Sequence, residues 1–409
     1  MIPHKLFAVL AAASLLTLVA CSPQQPAPSA SSGGVATVAS PAVTQPTAAA
    51  SAAATRVATA ASAAATRVAT AVSPAATQPT AAATIVFGDT ISINGAGAVT
   101  TADGVKITAG GTYTLSGILK DGMVEVDAPG AVVDLILAGV TISNADGPAI
   151  YLARATDATV TLKTGTSNTV SDGGSSDLDA AIYARMPLTF RGDGNLQVNG
   201  NAHEGISSTM HITVEGGNIR VKALEDGINA NNDGVSVITI SGGYLLVETT
   251  VGDGIDSNGK IVITGGTVIT HGSITDVNAG LDADSGVTIT GGTVIATGSS
   301  MLNKPTAAST VKSLLVAFNG TQRAGTLVSI QAGSSAPILV FAPSLDFQRL
   351  LYASSQVAEG VTYTVSTGGT ASGAPVDGLY PAGPVSGASQ VGTVTTATIP
   401  AGGRPGGRP

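Results

Sequence analysis

The sequence predicts an all-β solenoid of stacked coils, and three observations predict it. One sentence is written four times between Gly205 and Ala296: EGISS then ITVEGGNIRV, EDGINA then ITISGGYLLV, GDGIDS then IVITGGTVIT, and AGLDAD then VTITGGTVIA. Its single glycines (Gly205, Gly227, Gly254, Gly280) and its glycine pairs (Gly216/Gly217, Gly242/Gly243, Gly265/Gly266, Gly291/Gly292) advance by roughly 22–27 residues, the spacing of a repeat array. Within each unit apolar and polar residues alternate with the period of a strand. A unit this short cannot bury its own apolar face, so its copies must stack.

The bulk composition agrees. Glycine is abundant, with 52 residues, only 11% of the chain is charged, and there is no tryptophan, which favours short strands and tight turns over helical bundles. The formal charge of −8, with acidic residues gathered in the repeats, argues against a nucleic-acid partner. The single cysteine, Cys21, excludes a disulfide framework and a thiolate metal site.

The position of Cys21 explains it. A short basic start (Met1 to Lys5), an apolar run (Leu6 to Val19) and the string Leu18-Val19-Ala20-Cys21 read as a bacterial lipoprotein signal over residues 1–20, with Cys21 lipidated. An acylated cysteine holds a protein durably at a membrane, and no later segment is long and apolar enough to span one. Residues 21–84 are low-complexity Ala/Thr/Pro sequence in which SAAATRVATA and the PTAAA strings recur, a disordered stalk. Stiffened by proline it reaches on the order of 150–200 Å, and as a coil about 45 Å. The expected location is the bacterial cell surface.

Residues 85–300 form the solenoid. GTYTLSGILKDGMVEVDA, LILAGVTISNADGPAIYL and VTLKTGTSNTVSDG lead into the repeated DGI-(N/D)-(A/S) and TISGG or TITGG units. These strings resemble a bacterial family of carbohydrate-binding parallel β-helices, represented by a clostridial surface protein that binds cellulose and pectin and contains calcium. The resemblance covers roughly Ile85 to Thr370. It implies a right-handed parallel β-helix, extracellular, attached to polysaccharide of the pectate or cellulose type.

Aligned as columns, the repeats place Ile150, Ile182, Ile206, Ile228, Ile255 and Leu281 inside. Their neighbours then point outward. One outward column is small (Ala149, Ala181, Gly205, Gly227, Gly254, Gly280) and the next is Tyr151, Tyr183, Ser207, Asn229, Asp256, Asp282. Together they describe a shallow groove, and the second column is the expected carbohydrate-binding set. Leu246, Ile269 and Ile295 form an outward apolar stripe, the seat for the C-terminal segment or a dimer contact.

Glu204, Asp226, Asn229, Asp253, Asp256, Asp282 and Asp284 lie near one edge of adjacent coils, which sit about 4.8 Å apart, so like charges repel across the stack. Oxygen ligands of this kind suit calcium. They equally suit a role as turn residues that cap backbone groups. Bound calcium would also let an acidic surface accept a polyanion. The expected function is therefore polysaccharide binding without catalysis. A calcium-dependent lyase is the alternative, with Lys222 or Lys260 as base, and Asp226 with Asp253 would be a hydrolase pair. A structural or adhesive protein with a row such as Thr267 and Thr293 is the third reading. His203, His211 and His271 lack metal-binding spacing and read as surface residues.

After a break at Ser299 to Ala308, residues 309–370 lose the repeat and read as a small antiparallel β unit that caps the last coil. Residues 371–409 form a Gly/Pro-rich tail with one more strand, Gln390 to Ile399.

Overall fold

The structure, a computed structural model, describes residues 81–396 apart from 177. The signal segment, Cys21 and the stalk up to residue 80 lie outside the described residues. The first strand, Ala81–Phe87, starts upstream of the expected boundary and pairs in parallel with Gly111–Leu119. No helix occurs among the described residues.

Each coil contributes three strands. One lies in a nine-stranded sheet, in which every strand except the first runs parallel. The other two lie in an eighteen-stranded sheet that bends at the glycine pairs. In one coil these are Glu204–Ser208, Ile212–Val214 and Asn218–Ala223, each hydrogen-bonded to its equivalent in the next coil. The protein is thus a parallel β-helix.

Register confirms the inward column. Ile150, Ile182, Ile206, Ile228, Ile255 and Leu281 are successive partners, and all are buried. Each contributes roughly 1.5–3 kcal/mol on burial, so the stack holds without disulfides. The second glycine of each pair has a positive φ, from +79° to +92°, which the corner requires and a side chain resists.

The single glycines serve a different need. A Cβ on Gly227 would meet Val247 Cγ1 at 2.0 Å and the Gly254 carbonyl oxygen at 2.6 Å, because here the end of one strand presses on the next coil. Gly227→Ala should therefore destabilise the protein by about 3 kcal/mol or more, seen as a lower urea midpoint. Gly174→Ala, at a position with nothing within 4 Å, should leave the midpoint in place.

The C-terminal unit covers the apolar stripe. Leu246, Ile269 and Ile295 are buried in one cluster with Leu314, Phe341 and Tyr352. Strand Phe347–Ala353 pairs antiparallel with Thr293–Gly298 of the last coil, and Ser313–Gln322 pairs on its far side. The open edge of the helix is thereby closed. A four-stranded antiparallel sheet completes the unit, and its outer strand is Ser389–Thr395. The unit therefore continues past residue 370, where the sequence pattern suggested a tail. Asp377, with φ of +49°, accepts from Arg220 Nη2 at 2.7 Å and from the Tyr244 hydroxyl at 2.8 Å, pinning that stretch to the helix face.

His271 is a further correction. It is 1% exposed, its Nδ1 lies 2.7 Å from Thr297 Oγ1, and its ring stacks on Phe341 at 5.7 Å. Burial pushes the imidazole down to about 4, so it is a neutral part of the seam under the cap.

Candidate functional site

The site stands on the nine-stranded sheet. Because side chains alternate, the residue after each core aliphatic faces away from the core, and register sets Tyr151, Tyr183, Ser207, Asn229, Asp256 and Asp282 side by side. The small column beside them is no open floor. Ala149 and Ala181 are fully buried, and Gly205, Gly227 and Gly254 are pressed against Val221, Val247 and Thr270. The column thus stands on a packed floor of small residues, with Asp253, Asp256 and Asp282 partly buried upon it.

Burial corrects part of the expected carbohydrate set. Ser207 is 0% and Tyr183 6% exposed. The Tyr151 and Tyr183 rings stack on each other, 5.8 Å between centroids and 8° between planes, so neither face of that shared contact is open to a sugar. Tyr151 stays half-buried and reachable.

The acidic residues form one continuous chain across four coils. Asn229 Nδ2 donates to Glu204 Oε1 at 3.2 Å and to Asp226 Oδ2 at 3.3 Å. Asp226 Oδ1 accepts from the Asp253 amide at 2.7 Å, and Asp253 Oδ1 accepts from the Ala279 amide. Asp226 and Asp253 thus do cap backbone groups of the next coil, as turn residues should. Capping does not account for the rest. One carboxylate oxygen each of Asp253, Asp256 and Asp282 lies within 4.8 Å of the others. Asp284 is exposed at the margin and acts on Asp256 through its charge.

Two unit charges at that separation repel by roughly 3–4 kcal/mol at an effective dielectric of about 20, a large share of a domain's stability. The carboxylates answer by holding protons. Burial first, then the charges of Asp226, Asp282 and Asp256, push Asp253 up to about 8 against the pull of the Ala279 amide. Burial and the charges of Asp226, Asp282 and Asp284 push Asp256 up to about 7. Burial likewise lifts Glu204 to about 8.

The same stretch contains acceptors that no donor reaches. Glu204 Oε2, Ser207 Oγ and Asn229 Oδ1 are buried without a hydrogen-bond partner. Leaving such atoms dry costs about 1–3 kcal/mol each. Oxygens alone, carboxylate, amide and hydroxyl, make a donor set that fits a hard cation such as calcium.

Neither lysine considered as a base enters the trio. Lys222 lies on the eighteen-stranded sheet, 3.3 Å from Glu248, and Lys260 is exposed at the head of Lys260–Ile263. Two residues outside the outward column escaped the repeat pattern. Asp172, 4% exposed, accepts from the Asn201 amide with Oδ1 while its Oδ2 has no partner, and burial raises its carboxyl. Arg185, next to the column rather than in it, sets its guanidinium 5.8 Å over the Tyr151 ring.

Known proteins resemble this chain over part of its length. A relative from Acetivibrio thermocellus, described as a carbohydrate-binding domain-containing protein, is 37% identical over 129 residues, which is 29% of this chain and 45% of that one. The match thus spans less than half the length of that relative. A solved structure of a polysaccharide lyase-like protein from C. thermocellum, a gadolinium derivative, is 31% identical, covers 52% of this chain and 93% of its own, and superposes with a TM-score of 0.43. The model of a family described as carbohydrate-binding domain-containing protein matches residues 101–336, more than half of the 409 residues. The chain belongs to that carbohydrate-binding domain family.

Proposed function

We propose that the protein binds acidic polysaccharide of the polygalacturonate type, ahead of cellulose, with calcium held by its acidic cluster, and does not cleave it. The observation that carries this reading is the trio Asp253, Asp256 and Asp282, with one oxygen each inside 4.8 Å, next to buried acceptors left without donors. Asp253, Asp256 and Asp282 would hold the ion, and Glu204, Ser207 and Asn229 offer oxygens in the adjoining coils. Calcium supplies neutralising charge there and, through positions left open, a bridge to a uronate carboxylate. Asp226 positions the trio by fixing the Asp253 backbone. The lack of tryptophan favours a soluble or gel-like polyanion over a flat crystalline surface. Cys21 and the Ala/Thr/Pro-rich sequence that follows it, up to residue 80, support a lipid-anchored place at the cell surface, where such a polymer is met.

Pull-down by polygalacturonate, with and without EDTA, tests this together with the ultraviolet absorbance of unsaturated uronates. Binding that EDTA strongly weakens, with flat absorbance, is expected. Calcium-dependent growth of the absorbance would establish a lyase. Binding indifferent both to EDTA and to Asp256→Ala with Asp282→Ala would remove calcium from the account.

A further inference from the structure

The outward column is polarised from end to end. Register carries it back beyond the tyrosines to Glu125 and Lys106, so its order runs Lys106, Glu125, Tyr151, Tyr183, Ser207, Asn229, Asp256, Asp282. Cationic and aromatic groups stand at the N-terminal end, where Glu125 and Asp127 are matched by cations, and the Asp253, Asp256 and Asp282 carboxylates stand at the other. Most of the cations are already matched. Lys106 lies 2.8 Å from Asp127 and 3.1 Å from Glu125, and Arg154 pairs with Asp127 through both Nε and Nη2.

Arg185 is different. It is exposed, and no ion pair joins it to a carboxylate among the described residues. Its guanidinium instead rests over Tyr151 and hydrogen-bonds the Tyr183 side chain, and the two rings fix each other by stacking. A guanidinium held over a ring loses little further freedom when it binds, and its planar fork of N–H donors matches a carboxylate in two parallel bonds. The Tyr183 row lies three coils from the Asp256 row and four from the Asp282 row, or about 14–19 Å at about 4.8 Å per coil. One extended anionic chain laid along the helix axis can therefore reach both ends.

The geometry points to Arg185, seated on Tyr151, as a direct subsite for the carboxylate of an acidic sugar, separate from the acidic cluster and independent of calcium. This rests on the carbohydrate-binding reading and sharpens it. One end of the face receives uronate carboxylates by charge-assisted hydrogen bonds, and the other through a cation. A neutral glucan offers Arg185 no such partner, so the residue selects for acid.

The test uses full-length protein and Arg185→Gln and Arg185→Lys variants, with calorimetric titration of oligogalacturonate, its methyl ester and a cello-oligosaccharide, in calcium and in EGTA. In calcium, Arg185→Gln should weaken oligogalacturonate binding by about tenfold, the loss of one charge-assisted bidentate pair. In EGTA it should remove the residual binding that wild type retains, while Arg185→Lys keeps part of it. Affinity for the methyl ester should not move. Equal affinities of wild type and Arg185→Gln for oligogalacturonate in EGTA would overturn the subsite and leave the calcium reading standing. So would an equal loss toward acid and ester. Wild type that binds none of the three sugars would instead overturn the carbohydrate reading itself.

Discussion

Replacing Ile295 with aspartate is expected to unseat the C-terminal unit. Ile295 is fully buried between the last coil and the cap, beside Ile269 and Leu246 and against Leu314 and Phe341. An unpaired carboxylate there loses the transfer energy of the isoleucine and adds the cost of burying a charge, together about 4 kcal/mol or more. The unit is also what pairs the open edge of the final coil, through Thr293–Gly298 and Phe347–Ala353. Its release would expose that edge and the stripe together, and aggregation should follow. Limited proteolysis should cut the variant between residues 299 and 312 at temperatures where wild type resists. Ile118→Asp is the control, since Ile118 is 53% exposed and should change little. A variant Ile295→Asp that melts and resists protease like wild type would show that the cap is held elsewhere.

The second large effect is that of pH on stability. In the unfolded chain Asp253, Asp256 and Glu204 titrate at the ordinary 3.8 and 4.5, whereas in the fold they titrate at about 8, 7 and 8. Between those limits the folded protein holds protons that the unfolded chain has lost, so stability falls as pH rises. His271 works with opposite sign: its folded value of about 4 lies below the ordinary 6.5, so its contribution is lost as pH falls below 6.5. Well above 6.5 the His271 imidazole is neutral in both states, and the carboxylates set most of the slope. His203 joins them in the same direction, since against its burial Glu225 and the Ser176 carbonyl raise its value. Without calcium, the melting temperature should drop by about 5 °C or more between about pH 6.5 and 9. With calcium the drop should vanish, because the ion binds the deprotonated cluster and stabilises it by mass action. A calcium-free melting temperature that is flat over this range would mean that the carboxylates are solvated and ordinary.

Much of the fold was legible because its cause is local. Strand period, glycine pairs and the Ile150-to-Leu281 column each follow from side-chain alternation and from corners that need a positive φ. The apolar stripe at Leu246, Ile269 and Ile295 was legible too, since three aliphatics on an outward face need a cover. The site was legible in register but not in depth. A column identifies neighbours, yet Ser207 and Tyr183 are buried by tight corners and ring stacking that alternation does not encode. His271 was misplaced for a related reason: strand period sets a face, but not what later packs on it, here Phe341 from a distant segment. Arg185 and Asp377 escaped altogether. Each acts across coils or across units, on Tyr151 and on Arg220 with Tyr244, and no spacing in the chain records such contacts.

Calcium titrated into metal-free protein at about pH 7.5, in two buffers of different ionisation heat, is the most direct measurement. Wild type should bind, and the heat should depend on the buffer, because Asp253 and Glu204, which hold protons up to about 8, release them as the ion enters. Asp253→Asn with Asp256→Asn should lose at least tenfold in affinity and most of the proton release. Wild-type protein that takes up no calcium, or a double variant that binds it as tightly with the same buffer dependence, would contradict the account.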